Sequence, residues 1–234
     1  MGKVKPKRKS TLIDMTAMSD VTVLLLTFFM LTSTFLQKEP VTVLTPSSVS
    51  EQKVPVTNLA TILISPEGKV FMSLSGDADS TYSSEKMRAE LLTNVVAKYN
   101  KLNPSKQIEL KPSQVAAFSK MNMVGYKLSE LPKFLSESQM HQDELLTDPN
   151  NPAAGIPLDD NKDRNRPNEF QMWIDALFES SNPNLVSAVK KGEGIAVKAD
   201  KDTPYSTVHN VLDNLQTMKA NKFSLMTALK TEND

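Results

Sequence analysis

The sequence predicts an α+β protein: a single N-terminal transmembrane helix followed by a small mixed α/β domain that carries a helical insertion. Three observations predict it. A basic tail runs directly into a stretch with almost no charge. Two β-rich runs around Pro66-Glu67-Gly68 are followed by a long helical pattern. Near the C-terminus a strand, a helix and a further strand succeed one another, separated from the first helix by a long, mostly helix-patterned stretch.

Composition excludes several classes of function. The 234 residues hold 27 Lys+Arg and 27 Asp+Glu, a formal net charge of zero. Nucleic-acid binding needs an excess of basic surface, so nucleic acid is not an expected partner. Cysteine is absent and there are two histidines, which argues against a disulfide framework, a thiol nucleophile or a zinc site. No P-loop, nucleophile elbow or Ser/His/Asp constellation is present, so the expectation is a protein without enzymatic activity, catalytic residues, metal or cofactor.

The elements follow in order. Residues 1–14 form a basic tail with Lys3, Lys5, Lys7, Arg8 and Lys9. From Val21 to Leu36 no residue is charged, about 16 residues, slightly short of the roughly 20 that cross a bilayer. Extending the span back to Met15 gives residues 15–36, about 33 Å of helix. Asp20 then lies within its first turns. Basic residues before the span and a cancelling Lys38-Glu39 after it orient the N-terminus to the cytoplasm. In a bacterium the remainder is periplasmic. A cleaved signal peptide is the alternative, although no A-x-A-like site follows Leu36.

Asp20 has two readings. It could cap the helix N-terminus, stabilised by the macrodipole. Or it is a functional acid, since an acid in a membrane helix costs about 2.5–3.5 kcal/mol and tends to face a partner or a water path. Positions 20, 24, 27, 31 and 34 share a face, which places Thr27 and Thr34 on the acid's side.

Residues 37–58 read as a linker stiffened by Pro40, Pro46 and Pro55. The domain is expected over 59–234. Ala60–Ser65 and Lys69–Ser73 form a hairpin, and Ser83 or Ser84 caps a helix that runs to about Leu102. An insertion spans about 104–190, with short helices at 113–120 and 129–139 and a flexible loop over 147–168 whose Asp159-Asp160 pair is solvated. Phe170, Trp173, Ile174, Leu177 and Phe178 then mark an apolar helical face, which either docks on the core or receives a partner. The C-terminal strand is Gly194–Asp200. Thr203 caps the next helix with Pro204 at its first position, Asn221 closes it, and Phe223–Leu229 is the last strand.

The run from Ile13 to Phe35, IDMTAMSDVTVLLLTFFMLTSTF, resembles the N-terminal signature of the ExbD/TolR family of biopolymer transport proteins. Asp14, Thr16, Met18, Asp20, Leu24, Leu25, Leu26, Phe28 and Phe29 stand at matching places. Ala17 stands where the family usually has Pro. Asp200 and Tyr205, between the C-terminal strand and helix, resemble a motif of the family's periplasmic domain; read by residue type alone they are turn and packing residues. Members of ordinary length have far fewer residues between first helix and C-terminal strand.

The resemblance implies a subunit of an inner-membrane motor driven by the proton motive force, with Asp20 as the proton-coupling acid and Asp14 as a partner contact. It implies a ring-forming ExbB/TolQ-like polytopic partner in the lipid membrane, a second copy of this chain, and a TonB- or TolA-like transducer. TonB-dependent transport across the outer membrane is the leading expectation. A TolR-like role in envelope maintenance or a gliding motor, and a static anchored binding module, are the alternatives. A flagellar-type stator is disfavoured because no peptidoglycan-binding region of the OmpA-like type follows the linker.

Overall fold

The computed structural model describes residues 15–32, 43–48, 55–77 and 80–229. It divides into two units, residues 1–38 and 39–234. In the first, helix α1 (Met15–Thr32) has a mean hydropathy of 1.6, long and apolar enough to cross a membrane. None of its residues is buried within the unit. The expected tail over 1–14 and the end of the span at 33–36 lie outside the described residues.

The second unit is built on a five-stranded sheet ordered β4-β3-β2-β5-β6. Strand β1 (Ser47–Ser48) lies apart from it. The hairpin is β2 (Leu59–Ile64) and β3 (Val70–Ser75), antiparallel, with Ile62 opposite Met72. Its turn needs Gly68, which adopts φ +80. Helix α2 (Ser84–Leu102) follows, burying Met87, Leu91, Leu92, Val95, Val96 and Tyr99. Ser83 is the cap residue by position, yet its side chain makes no cap bond; the Ser84 hydroxyl instead accepts the Gly76 N–H at 2.8 Å.

The insertion is helical, as expected, but its elements differ in detail. Helix α3 (Pro112–Lys120) is followed by β4 (Met123–Val124), which adds antiparallel to β3. The helix expected at 129–139 is interrupted. A 3-10 turn (Leu128–Glu130) leads into the single turn α4 (Leu131–Phe134), and Ser138 then starts a new helix, α5 (Gln139–Thr147), by accepting the His141 N–H. A serine hydroxyl that takes an orphan helix donor favours a fresh start over continuation.

The Asp-Asn-Pro stretch is irregular, as predicted, but it is pinned to the sheet. Residues 153–156 are buried. Lys127 N–H donates to Ala153 O at 3.0 Å, Gly155 N–H to Gly125 O at 2.8 Å and Ile156 N–H to Val70 O at 2.7 Å. Buried main-chain groups must find partners, and here the sheet margin supplies them. Asp159 is also anchored: its carbonyl accepts from Asn214 at 2.8 Å, and its carboxylate accepts from Asn168. Both acids are exposed, as the solvated reading has it, and Asp160 lies 3.7 Å from Lys162.

Helix α6 (Glu169–Phe178) settles the two readings of the apolar face. Phe170, Trp173, Ile174 and Leu177 have no exposed surface, so the face docks on the core and is not open to a partner. Its capping box joins Asn168 and Gln171. Helix α7 (Pro183–Lys191), absent from the sequence reading, is capped by Asn182 and ends at Gly192 in the left-handed region.

Strand β5 (Ile195–Ala199) pairs parallel to β2, placing Val197 beside Ile62. Helix α8 (Tyr205–Thr217) starts later than expected. Thr203 does not cap it: the cap position falls on Pro204, which has no side-chain acceptor, and the Thr203 hydroxyl donates to Ser65 O at 3.0 Å. The helix also ends earlier, with Met218 as its cap residue and Lys219 in the left-handed position at φ 64, so Asn221 has no capping role. The last strand divides into β6 (Ser224–Met226), parallel to β5, and β7 (Ala228–Leu229), parallel to β1.

Ala60, Ile62, Ile64, Met72, Leu74, Ile195 and Val197 line one sheet face, and all are buried. Leu74 meets Met87, Leu91, Ala176 and Leu185 there, so α2, α6 and α7 close that side. On the other face, Thr61, Leu63, Ser73 and Lys198 floor a recess of about 300 Å³.

Candidate functional site

Asp20 is the only charged residue of α1. The helix is already formed at Met15, and its first turn contains no acid. Asp20 therefore sits inside the helix, past the turn whose orphan N–H groups a capping carboxylate would accept. The capping reading loses its geometric basis. Ala17, within the same helical run, is compatible with this early start, where the family's usual Pro would favour a later one.

The face carrying Asp20 also presents Leu24, Thr27 and Leu31, spaced by successive helical turns. The Thr27 hydroxyl donates to Val23 O at 3.0 Å and Leu24 O at 2.9 Å, so its hydrogen stays on its own helix. Its oxygen lone pairs are what it can offer across the face. Ser19, Thr22 and Thr32 bond back in the same way, to Met15 O, Met18 O and Phe28 O. The polar side chains of the span thus satisfy themselves locally, as hydroxyls in apolar helices do. The Asp20 carboxylate has no hydrogen with which to bond back in this way. Asp14 and Thr34 lie outside the described residues.

The structure does not bring Asp200 and Tyr205 together. Asp200 is 6% exposed and works through its carboxylate: Oδ2 accepts the Leu44 N–H at 2.6 Å and Oδ1 the Asp202 N–H at 2.9 Å. Tyr205 is 80% exposed, so it is not a packing residue. Its ring stacks on His209, with centroids 5.8 Å apart and planes 8° from parallel.

One buried and one partly buried ionisable residue lie outside the sequence reading. Arg88 bonds Leu74 O at 3.2 Å and Ser119 O at 3.3 Å, tying α3 to the hairpin, and burial holds its pKa below the ordinary arginine value. Glu169 accepts the Leu128 N–H at 2.8 Å. Burial pushes its carboxyl above the ordinary value, against the opposing pull of that N–H and of Lys127. Neither residue forms a sequence motif, because each acts on main-chain groups brought close only by folding.

The raised Glu169 pKa has a defined sign. The folded state binds the proton more tightly than the unfolded chain, so the stability it confers is complete at low pH. That stability is lost as pH rises through the folded pKa. Glu169→Gln cannot ionise. Relative to wild type it should gain stability as pH rises above the ordinary Glu pKa of about 4.3 and through the raised folded value, visible as a diverging series of urea midpoints.

Comparison with known proteins gives one finding. The family described as Biopolymer transport protein ExbD/TolR matches residues 6–132, just over half of the 234 residues. The match runs through α1, the hairpin, α2 and α3, and ends before Asp200 and Tyr205. No curated protein and no solved structure matches the chain.

Proposed function

The chain belongs to the ExbD/TolR family of biopolymer transport proteins, and on that premise we propose that it is the ion-coupling subunit of an ExbB-ExbD-type motor that energises TonB-dependent transport across the outer membrane. Family membership carries the coarser statement: an energy-transduction subunit of biopolymer transport, of a kind that is non-enzymatic and works with ExbB/TolQ-type membrane proteins and a TonB or TolA partner. Membership and the single apolar helix together indicate a single-pass inner-membrane protein.

The finer reading rests on one observation: a lone acid in the interior of an otherwise uncharged apolar helix. In this reading the N-terminus is cytoplasmic and the domain periplasmic. Two copies place their Asp20 helices inside a ring of the polytopic partner. Proton entry neutralises one Asp20, and release to the cytoplasm recharges it. A proton crossing 100 mV supplies about 2.3 kcal/mol, close to the roughly 2.5–3.5 kcal/mol cost of an acid in the membrane. The energy of one proton is thus comparable to the cost of moving the acid between a partner-bonded ionised state and a lipid-tolerated neutral one. Alternation between two helices turns proton flow into motion.

Co-expression with an ExbB/TolQ-type protein tests this. The two should co-purify, and the complex in vesicles should pass protons in sodium-free buffer. A complex silent without sodium replaces the proton with sodium. Rescue of envelope integrity but not of uptake assigns the TolR-like role instead.

A further inference from the structure

The segment entering the domain is fastened at one point. Val43 is 8% exposed and belongs to the hydrophobic core. The next residue is held on both sides of its backbone: Leu44 N–H donates to Asp200 Oδ2 at 2.6 Å, and Leu44 O accepts the Lys201 N–H at 2.9 Å. The Leu44 side chain is 60% exposed, so position 44 is held by its main chain rather than by apolar packing. Just beyond, Ser47 and Ser48 pair parallel to Ala228 and Leu229.

The acceptor is itself rigidly set. Asp200 N–H donates to Ile64 O at 3.1 Å, Asp200 O accepts from Thr203 N–H at 3.2 Å, and Thr203 is tied to Ser65. The carboxylate is therefore oriented by the ends of β2 and β5 together. A turn aspartate that only shapes its own loop would use one oxygen on the residue two ahead, as Asp200 Oδ1 does with Asp202. The second oxygen reaches a segment far away in sequence, through a partly buried bond.

We infer that Asp200 is a positioning residue for energy transfer, a clasp that holds Leu44 so that motion of the membrane helix enters the domain at the β5–α8 turn. The inference rests on the ion-coupling reading of Asp20. Its mechanical basis is chain length. Between Thr32 and Leu44 the chain spans at most about 40 Å when fully extended. With Val43 unseated, the clasp open and the two-residue β1–β7 pairing lost, the next described residue bonded into the domain is Asn58, whose side chain accepts from Asn182, and the limit rises to about 90 Å. That added slack absorbs a displacement before any pull reaches the sheet.

The test uses the full chain in its membrane complex, in cells lacking the native copy. Leu44→Pro removes the donor without altering the domain's own residues, and Asp200→Ala removes the acceptor. Because the chain has no cysteine, Leu44→Cys with Lys201→Cys gives a single disulfide across the backbone bond. Leu44→Pro and Asp200→Ala should each lower the proton-driven process about tenfold or more, with proton flux and the protease-resistant domain unchanged. The disulfide should restore Asp200→Ala, and a reductant should reverse the rescue. If Asp200→Ala does not fold, Leu44→Pro carries the test.

Full activity of Leu44→Pro overturns the clasp, as does a disulfide that silences the otherwise wild-type chain. Asp20→Asn separates the two readings. An active Asp20→Asn variant removes the motor reading, whereas a silent one beside an active Leu44→Pro removes the clasp alone.

Discussion

Asp20→Asn is expected to reduce the proton-driven process to background while the protein remains in the membrane and bound to its polytopic partner. Asn nearly matches Asp in size and keeps a carbonyl acceptor, so the helix packs and inserts as before. Insertion should be easier, because the cost of an ionised acid in the span is removed. What Asn cannot do is release and retake a proton. Asp20→Glu keeps the titrating group on a longer arm and should retain part of the activity, which separates loss of the proton from loss of shape. Complementation of a strain lacking the native copy measures both variants, with co-purification as the control for assembly. An Asp20→Asn variant that complements fully would leave the chain a static anchored module. The competing account, a helix cap, predicts a different outcome. Replacing a capping acid with Asn, itself a good cap residue, would change little. α1 is already helical at Met15, so that account has no orphan N–H groups at Asp20 to draw on.

Much of this could be read from residue order, and the reason differs by element. α1 is legible because an uncharged run after a basic tail has few other meanings, and Asp20 stands out as its single charge. The hairpin is legible because Pro66-Glu67-Gly68 separates two β-rich runs and Gly68 takes the positive φ that such a turn requires. α2 is legible from its spacing of apolar residues. The boundaries of α8 are not, because Thr203-Pro204 reads as a cap followed by Pro at the first helical position, whereas Pro204 itself takes the cap position and Thr203 bonds Ser65 O. The Asp-Asn-Pro stretch misleads for a related reason. Composition reports that it forms no regular element, but it says nothing of whether main-chain groups such as Ile156 N–H find a sheet to bond. Asp200 is visible as an acid after a strand, while its partner, the Leu44 N–H, has no side-chain identity and leaves no trace in the sequence.

Trp173→Ala is expected to destabilise the domain by about 3–5 kcal/mol, a large share of the roughly 5–15 kcal/mol that holds a typical domain folded. Trp173 is the sole tryptophan and has no exposed surface. Its ring stacks on Phe118 of α3, with centroids 6.0 Å apart and planes 14° from parallel, so it joins two helices of the insertion. Phe170, Ile174 and Leu177 are buried on the same helix, which packs against α2, α7 and α8. The side chain has one defect: its indole Nε1 is buried and finds no hydrogen-bond partner among the described residues. Leaving a buried donor unsatisfied costs about 1–3 kcal/mol. Trp173→Phe removes that donor while keeping an aromatic ring against Phe118, so its net cost should stay below about 1.5 kcal/mol. The pair of variants isolates volume from polarity. Unfolding of the full chain in detergent, followed by circular dichroism because both variants lack the fluorophore, measures the two. The result also decides what the insertion is. An accessory arm built for a partner would lose its own order in Trp173→Ala and leave the hairpin and α2 melting as before. A shared core melts as one, and the packing of α6 against α2 and α8 predicts the second outcome.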